Sequence, residues 1–279
     1  MVITGASTGI GESCALRLAR AGCHVFAGVR RSEDGEALRR KAPTGLTPLQ
    51  LDVTDSDSVQ SAVGEVERAL DGAPLAGLVN NAGIALGGPL ELMPLDALRR
   101  QFDVNVFGLI ATTQAFLPLI RAGAGRIVNI GSISGRFAGP YVGPYAASKH
   151  ALEALSDSLR VELRPWGIHV ALIEPGRIAT PIWEKSLAHS EALAAHADPA
   201  MLARYGPALD RMRAFVSKFN ARRLPPESVA AAVEHALFAP RPKTRYVIGL
   251  DAWAQLLASK LLPDRLRDAL VVRALRLDR

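Results

Sequence analysis

The sequence predicts an α/β fold, a doubly wound parallel sheet of about seven strands with helices on both faces, and three observations carry that prediction. Short apolar runs alternate with longer helical patterns along most of the chain. Runs such as GLVNN and RIVNIGS are apolar without the in-and-out alternation of a half-exposed strand, as expected when helices cover both faces. The opening MVITGASTGIGESC places a strand, a glycine-rich turn and a helix start in direct succession.

The first strand is Met1-Val2-Ile3-Thr4, and the helix after it sets Ala15, Leu16, Leu18 and Ala19 against Arg17 and Arg20. His24 to Val29, Thr47 to Leu51, Ala76 to Asn80, Arg126 to Ile130, Ile168 to Ile173 and Arg245 to Ile248 read as the other strands. Helical patterns fall between them at 34–42, 55–70, 95–121, 145–164 and 226–239. Two stretches break the rhythm. Residues 181–224 form a long helical insertion after the sixth strand, and residues 251–279 form an Arg- and Leu-rich helical tail. Ligands in open α/β sheets sit at the carboxyl ends of strands, so the insertion is placed to roof a substrate site. With no internal repeat and no low-complexity linker, residues 1–279 are expected to form one domain.

Composition narrows the function. The 279 residues are 49% hydrophobic and 22% charged, ordinary for a globular chain, and the net charge of +6 comes from 27 Arg and 6 Lys spread over the whole length. A nucleic-acid partner would call for a concentrated basic face, so none is expected. Cys14 and Cys23 suggest neither a disulfide framework nor a metal site, and His150, His189 and His196 have no metal-ligand spacing. A reducing, cytoplasmic setting fits. Nothing at the start resembles a signal peptide, and no apolar run approaches the roughly 20 residues that span a bilayer.

Thr4-Gly5-xxx-Gly9-x-Gly11 is a glycine spacing that any tight turn could collect, but it stands between the first strand and the first helix, with Gly11 letting the helix start pack against the strand. There a chain presents bare backbone N–H groups and a positive helix end to a phosphate, so a dinucleotide is the expected ligand of a Rossmann-type sheet. At the end of the second strand, where a carboxylate would take the ribose hydroxyls of NAD, stand Val29 and Arg30. A guanidinium suits a 2′-phosphate, which makes NADP(H) the preferred cofactor and NAD(H) the alternative; the plainer reading of Arg30 is a solvated loop charge. Leu51-Asp52-Val53 and Asn80-Asn81-Ala82-Gly83 close the third and fourth strands, either as cofactor contacts or as a helix cap and a turn.

Tyr145-Ala-Ala-Ser-Lys149 puts a phenol and an ammonium on one helix face, a spacing that any amphipathic helix also produces by chance. RIVNIGSISG brings Ser132 to a strand end thirteen residues earlier, toward the same sheet edge. Carbonyl reduction by hydride needs a proton delivered to oxygen, and alcohol oxidation needs it removed. A free tyrosine, with a pKa of about 10, needs help to serve as base near neutrality. The Lys149 ammonium and a positive nicotinamide would favour phenolate, while Ser132 would hold the substrate oxygen.

Taken together, TGASTGIG, NNAG, the Ser132, Tyr145 and Lys149 set, and Pro175-Gly176 with Thr180 resemble the short-chain dehydrogenase/reductase family over residues 1 to about 180. The resemblance implies a tetrad completed by Asn105 of FDVNVFG, which would hold a water in a proton relay to Lys149. It implies cofactor contacts from Gly5, Ser7, Thr8, Gly9, Ile10 and Gly11, from Val53 and from Asn81, Ala82 and Gly83. Asp52 would contact adenine, Asn81 would tie neighbouring strands, and Pro175, Gly176, Ile178 and Thr180 would embrace a nicotinamide that transfers its pro-S hydrogen. It also implies a homodimer or homotetramer built on helices 95–121 and 145–164. Family members generally carry several residues before the glycine motif, so the native start is expected upstream of Met1. The strand VFAGVRR, the helix ALSDSLRVELRPWGI and the region after Thr180 are most similar to members acting on hydroxysteroids, retinol and other lipophilic alcohols or ketones.

Candidates to line an apolar substrate cavity are Phe137, Tyr141, Trp183, Met201, Tyr205, Met212 and Phe215, each equally readable as core. The tail leucines Leu256, Leu257, Leu261, Leu262, Leu266 and Leu270 lie among Lys260, Arg265, Arg267 and Arg273. Such a tail can cover the substrate lid, bury a dimer contact or lie peripherally on an anionic membrane, and those roles are expected in that order. The reading is an NADP(H)-preferring oxidoreductase acting between an alcohol and its ketone or aldehyde on a small, bulky apolar molecule such as a steroid or retinoid. Its alternatives are a 3-ketoacyl thioester reductase and a non-catalytic NADP(H) sensor.

Overall fold

Seven parallel strands make one sheet: β1 Val2–Ile3, β2 Val25–Val29, β3 Leu46–Gln50, β4 Gly77–Asn80, β5 Arg126–Ile130, β6 His169–Pro175 and β7 Arg245–Ile248, side by side in the order 3-2-1-4-5-6-7. A computed structural model describes residues 1–42, 44–187, 198–219 and 223–277, and of helix residues 212 and 214–219 it describes the backbone alone. The chain winds outward from β1 in both directions, so the carboxyl ends of β1 and β4 part and leave a crevice.

The strands are apolar on both sides because both sides are covered. Ile3, Val25, Ala27, Val79, Val128 and Ile173 point to one face, where α1 (Gly9–Arg20) packs Cys14, Ala15 and Leu18 beside Val229 and Val233 of a later helix, Pro226–Phe238. Val2, Phe26, Leu78, Ile127 and Val170 point to the other, against Val59 and Val66 of the helix Ser56–Leu70 and Phe116 and Ile120 of the helix Gly108–Arg121. Each such fully buried side chain stabilises by about 1.5–3 kcal/mol relative to exposure. The helix over Ser56–Leu70 starts where Asp55 accepts hydrogen bonds from the N–H groups of Asp57 and Ser58, at 2.9 and 3.2 Å.

In chain order the helices are α1, α2 (Ser32–Lys41), α3 (Ser56–Leu70), α4 (Leu95–Phe102), α5 (Gly108–Arg121), α6 (Gly143–Glu162), α7 (Pro199–Phe219), α8 (Pro226–Phe238), α9 (Leu250–Leu261) and α10 (Asp264–Leu275). The helix expected over 95–121 is broken by a π turn at Asp103–Phe107, and Asn105 stands in that turn. By length and composition Leu95–Arg121 is apolar and long enough to cross a membrane, which corrects the expectation from uninterrupted runs. Its Phe116 and Ile120 are fully buried in the core. The helix expected from 145 begins at Gly143 with Pro144 in its first turn, so Tyr145 lies at a helix start beside the sheet edge.

The insertion after Thr180 has helical backbone over 182–187 and then α7; His189 and His196 lie outside the described residues. Tyr205 of α7 donates its hydroxyl to Glu91 Oε2 at 2.5 Å. In the tail, α10 lies against α7, and the Arg267 guanidinium stands 5.9 Å from the centre of the Phe137 ring. The tail thus covers the insertion, the first of its three expected roles. On α9, Ala252 is buried while Leu250, Trp253, Leu257 and Leu261 form an exposed stripe.

Candidate active site

The site is assembled at the carboxyl ends of β1, β4, β5 and β6, and it begins with a turn that only glycine can make. Gly5 and Gly9 both have φ of +63°, in the left-handed region. A Cβ on Gly5 would stand 2.7 Å from Ala82 Cα, so the loop after β1 lies directly on the loop after β4. A Cβ on Gly9 would stand 3.1 Å from Thr180 Cγ2, where the loop after β6 closes over it. Gly11 serves the packing that its place at the helix start predicts. It walls no part of the cleft; a Cβ there would stand 2.3 Å from the Gly5 carbonyl oxygen and 2.4 Å from Asn81 Nδ2. Gly11 therefore lets α1 pack on its own loop, while Asn81 Nδ2 donates to the carbonyls of Thr4 and Gly5 at 3.0 and 2.9 Å and ties β4 to β1.

The resulting cleft has a volume of about 380 Å³. Its wall takes in the expected residues Gly5, Ser7, Thr8, Gly9 and Ile10, then Arg30, then Asp52 and Val53, then Asn81, Ala82 and Gly83. At the far end are Ser132, Tyr145 and Lys149 with Pro175, Gly176, Ile178 and Thr180. The chemistry of this lining suits a dinucleotide. Thr8 makes no side-chain capping bond at the start of α1, so that positive helix end has no side-chain acceptor of its own and meets the needs of a phosphate. Asp52 Oδ1 accepts from Thr54 N at 3.0 Å and Thr54 Oγ1 at 2.7 Å, so the turn that fixes it also presents it to the cleft. Arg30 and Arg31, alike in sequence, separate here. Arg31 is held by Asp34 through two 3.0 Å bonds, whereas Arg30 has no ion-pair partner among the described residues and faces the cleft mouth.

Ser132 caps a short turn, its Oγ accepting from Ser134 N at 3.1 Å, and hydrogen-bonds the buried Tyr145 hydroxyl. Burial pushes the Tyr145 phenol above its usual value, and the Ser132 hydrogen bond opposes that in part. Lys149 lies beside it in the same wall. Its Nζ donates to the Ile130 carbonyl at 2.8 Å and lies 5.7 Å from the Tyr145 ring centre, and burial lowers it to about 8. Asn105 stands behind the wall. Its side chain grips Ile84 through N and O, at 2.8 and 2.9 Å, and donates to Ser148 Oγ at 3.0 Å; Ser148 in turn donates to the Tyr145 carbonyl at 2.7 Å.

Of the expected substrate-side residues whose side chains are described, only Trp183 reaches the cleft, its ring edge-on to Tyr145 with 5.5 Å between centres. Phe137, Tyr141, Met201 and Tyr205 are not on that wall, and the Met212 and Phe215 side chains lie outside those described. Sequence reasoning missed Ile84, Arg100, Asp103, Val104 and Lys185, which do line it. Asp103 and Val104 lie within FDVNVFG, Ile84 follows NNAG and Lys185 comes soon after Thr180, while no motif marks Arg100. It also missed Asp251, whose Oδ2 accepts from Arg177 N at 2.9 Å and Arg177 Nε at 3.1 Å and so pins the loop after β6.

A dinucleotide cleft that runs out on a buried phenol and a serine hydroxyl belongs to a nicotinamide-dependent oxidoreductase. The short chain dehydrogenase family model matches residues 1–191, and the chain belongs to that family. It is therefore an NAD(P)-dependent oxidoreductase acting between alcohols and carbonyls. It is 36% identical to an NADPH-dependent 3-dehydrocapnine reductase of Ornithobacterium rhinotracheale over 99% of this chain and 96% of that one. It is 38% identical to mouse (Mus musculus) retinol dehydrogenase 5 over 96% of this chain and 86% of that one. Among solved structures it resembles a short chain dehydrogenase from Burkholderia cenocepacia in complex with NADP, at TM-score 0.70 and 26% identity over 98% and 95% of the two chains. A short chain dehydrogenase/reductase from Burkholderia phymatum in complex with NAD is similar at TM-score 0.76 and 25% identity over 91% and 90%.

Proposed function

We propose that this protein is an NADP(H)-preferring oxidoreductase that interconverts a bulky apolar alcohol and its ketone or aldehyde. The cofactor preference is carried by Arg30: it stands at the cleft mouth, after Val29 rather than a carboxylate, and without a protein counter-charge among the described residues. The substrate class is supported by Pro181, Ile182 and Trp183 of the insertion, which turn an apolar wall toward Tyr145. The names of the two relatives agree with both parts, one being an NADPH-dependent reductase and the other acting on retinol.

The bound cofactor supplies or accepts the hydride. Glycine-loop N–H groups and Arg30 would hold its phosphates, Asp52 and Val53 its adenine end, and Asn81 to Gly83 with Pro175 to Thr180 its nicotinamide end. Tyr145, kept protonated by burial, delivers the hydroxyl proton to the carbonyl oxygen, and Ser132 holds that oxygen as its charge develops. Lys149 is anchored on the β5 carbonyl beside them as ribose holder. Asn105 fixes the Tyr145 turn through Ser148 while serving as the support of the proton relay. Phe107 and Val161, exposed on the helix over 95–121 and on α6, support self-association through those helices.

The decisive experiment titrates NADPH and NADH onto the protein and follows turnover on apolar ketones and aldehydes, for wild type and Tyr145→Phe. Tighter NADPH binding with turnover that Tyr145→Phe abolishes, its cofactor binding intact, is the expected result. Full activity in Tyr145→Phe would overturn the mechanism, and tighter NADH binding the cofactor assignment.

A further inference from the structure

Behind the reacting groups lies a second buried charge cluster. Glu153 follows Lys149 by one turn of α6, and Glu174 immediately precedes Pro175 in β6. Arg136, just past the turn capped by Ser132, touches both: its Nε donates to Glu174 Oε1 at 2.7 Å and its Nη2 lies 2.8 Å from Glu153 Oε2. Arg245 of β7 reaches Glu153 Oε2 at 3.2 Å and Asp157 Oδ1 at 2.5 Å, and Arg160 pairs with Asp157 at 2.6 Å. Lys149, the remaining charged group of α6 nearby, is turned to the Ile130 carbonyl, and Asp251 of α9 is taken up by Arg177. The cluster is wedged in place: a Cβ on Gly135 would stand 2.8 Å from the Lys149 carbonyl oxygen and 3.2 Å from Glu153 Cγ.

One atom in this cluster does not balance. Glu153 Oε1 is buried without a hydrogen-bond partner, although the one Arg136 guanidinium gathers both the Glu153 and Glu174 carboxyls and Glu174 is only 1% exposed. Two ionised carboxylates in contact repel, whereas an acid and a carboxylate share a strong hydrogen bond. We propose that Glu153 and Glu174 share one proton, and that this pair is a positioning element locking the Ser132 turn, the Tyr145 and Lys149 helix and the Pro175-Gly176 loop into one frame. Arg136 extends the frame to the Ser132 turn, Glu153 to α6 and Glu174 to the loop after β6. Burial and the Glu174 charge raise Glu153 to about 8 against the pull of Arg136 and Arg245, so the shared proton is present at neutral pH. Its loss sets two buried like charges against each other at the root of the cofactor loop.

The proton can be seen without turnover and whichever nicotinamide cofactor is preferred. In pH-difference infrared spectra of the free protein, wild type shows a carboxylic-acid carbonyl band at neutral pH that bleaches as pH rises through about 8. Glu153→Gln lacks that band, and in Glu174→Gln it bleaches at lower pH because the like charge is gone. Absence of the band in wild type at neutral pH, or its persistence in Glu153→Gln, overturns the proposal. The positioning role is read from NADPH and NADH dissociation constants across the same range. Wild-type binding weakens as the proton is lost, by about tenfold for each unit by which bound cofactor raises the pair. Glu153→Gln keeps a neutral donor and removes that part of the dependence, leaving the part due to Lys149, itself lowered to about 8. Profiles of Glu153→Gln and wild type that superimpose, or an equal loss of affinity in Glu153→Gln at every pH, would overturn it.

Discussion

Arg30 is the residue whose removal most sharply separates the two cofactors. Arg30→Ala breaks no ion pair among the described residues; the bond from Gln50 Nε2 goes to its backbone oxygen and survives. Folding stability should therefore stay within about 0.5 kcal/mol of wild type. A charge-assisted bond to a 2′-phosphate is worth about 1.5–3 kcal/mol, and the exposure of Arg30 brings that down to about 1–2 kcal/mol. NADPH should then bind about 5- to 30-fold more weakly, with NADH changed by less than about twofold because it has no 2′-phosphate. Fluorescence titration of both cofactors onto wild type, Arg30→Ala and Arg31→Ala reads this directly. The NADPH loss should shrink as salt is raised, since an exposed charge is screened. Equal losses for NADPH and NADH would mean that the substitution disturbed the cleft rather than the phosphate contact. A loss that follows Arg31 instead would mean that its pairing with Asp34 does not hold it away from the cofactor.

Three further outcomes follow from the same geometry. Thr4 is buried, and its Oγ1 accepts from the N–H groups of Asn81 and Ala82, each at 2.9 Å. Thr4→Val strands two donors, a loss of about 2–4 kcal/mol in urea unfolding that Thr4→Ser largely restores; a Val variant as stable as wild type would show those bonds to be dispensable. Asp251→Ala removes the two bonds that Arg177 N and Nε donate from the loop after β6, which should raise the cofactor KM several-fold with little change in kcat, and an unchanged KM would remove Asp251 from the site. Because burial raises the Tyr145 phenol, kcat for carbonyl reduction at saturating cofactor should hold through neutral pH and decline only in alkali, as the phenol loses its proton. A decline already at neutral pH would place a different acid in the proton-donating role.

Much of the cleft was legible because its chemistry is local. The glycines, NNAG, Ser132 at a strand end and the Tyr145 and Lys149 spacing each depend on one turn or one helix face, and parallel strands announce themselves by being apolar on both sides. Expectations failed where a side chain's partner is distant. Phe137 and Tyr141 are as apolar as Trp183, yet only Trp183 turns onto Tyr145, since the path of the chain after Thr180 decides it. Gly11, by contrast, packs α1 on Gly5 as its place between strand and helix predicts, because that contact is local.

By itself, then, the sequence determined the parallel sheet, the dinucleotide loop and the reacting residue types, all set by periodicity and backbone conformation over a few neighbouring residues. Tertiary structure alone decided that Asp251 holds Arg177 from 74 residues away and that Glu153 meets Glu174 beneath the site. Those pairings depend on how strands, helices and loops stack in space, and burial then sets the protonation of Tyr145, Lys149 and Glu153 by excluding the water that would otherwise solvate their charges.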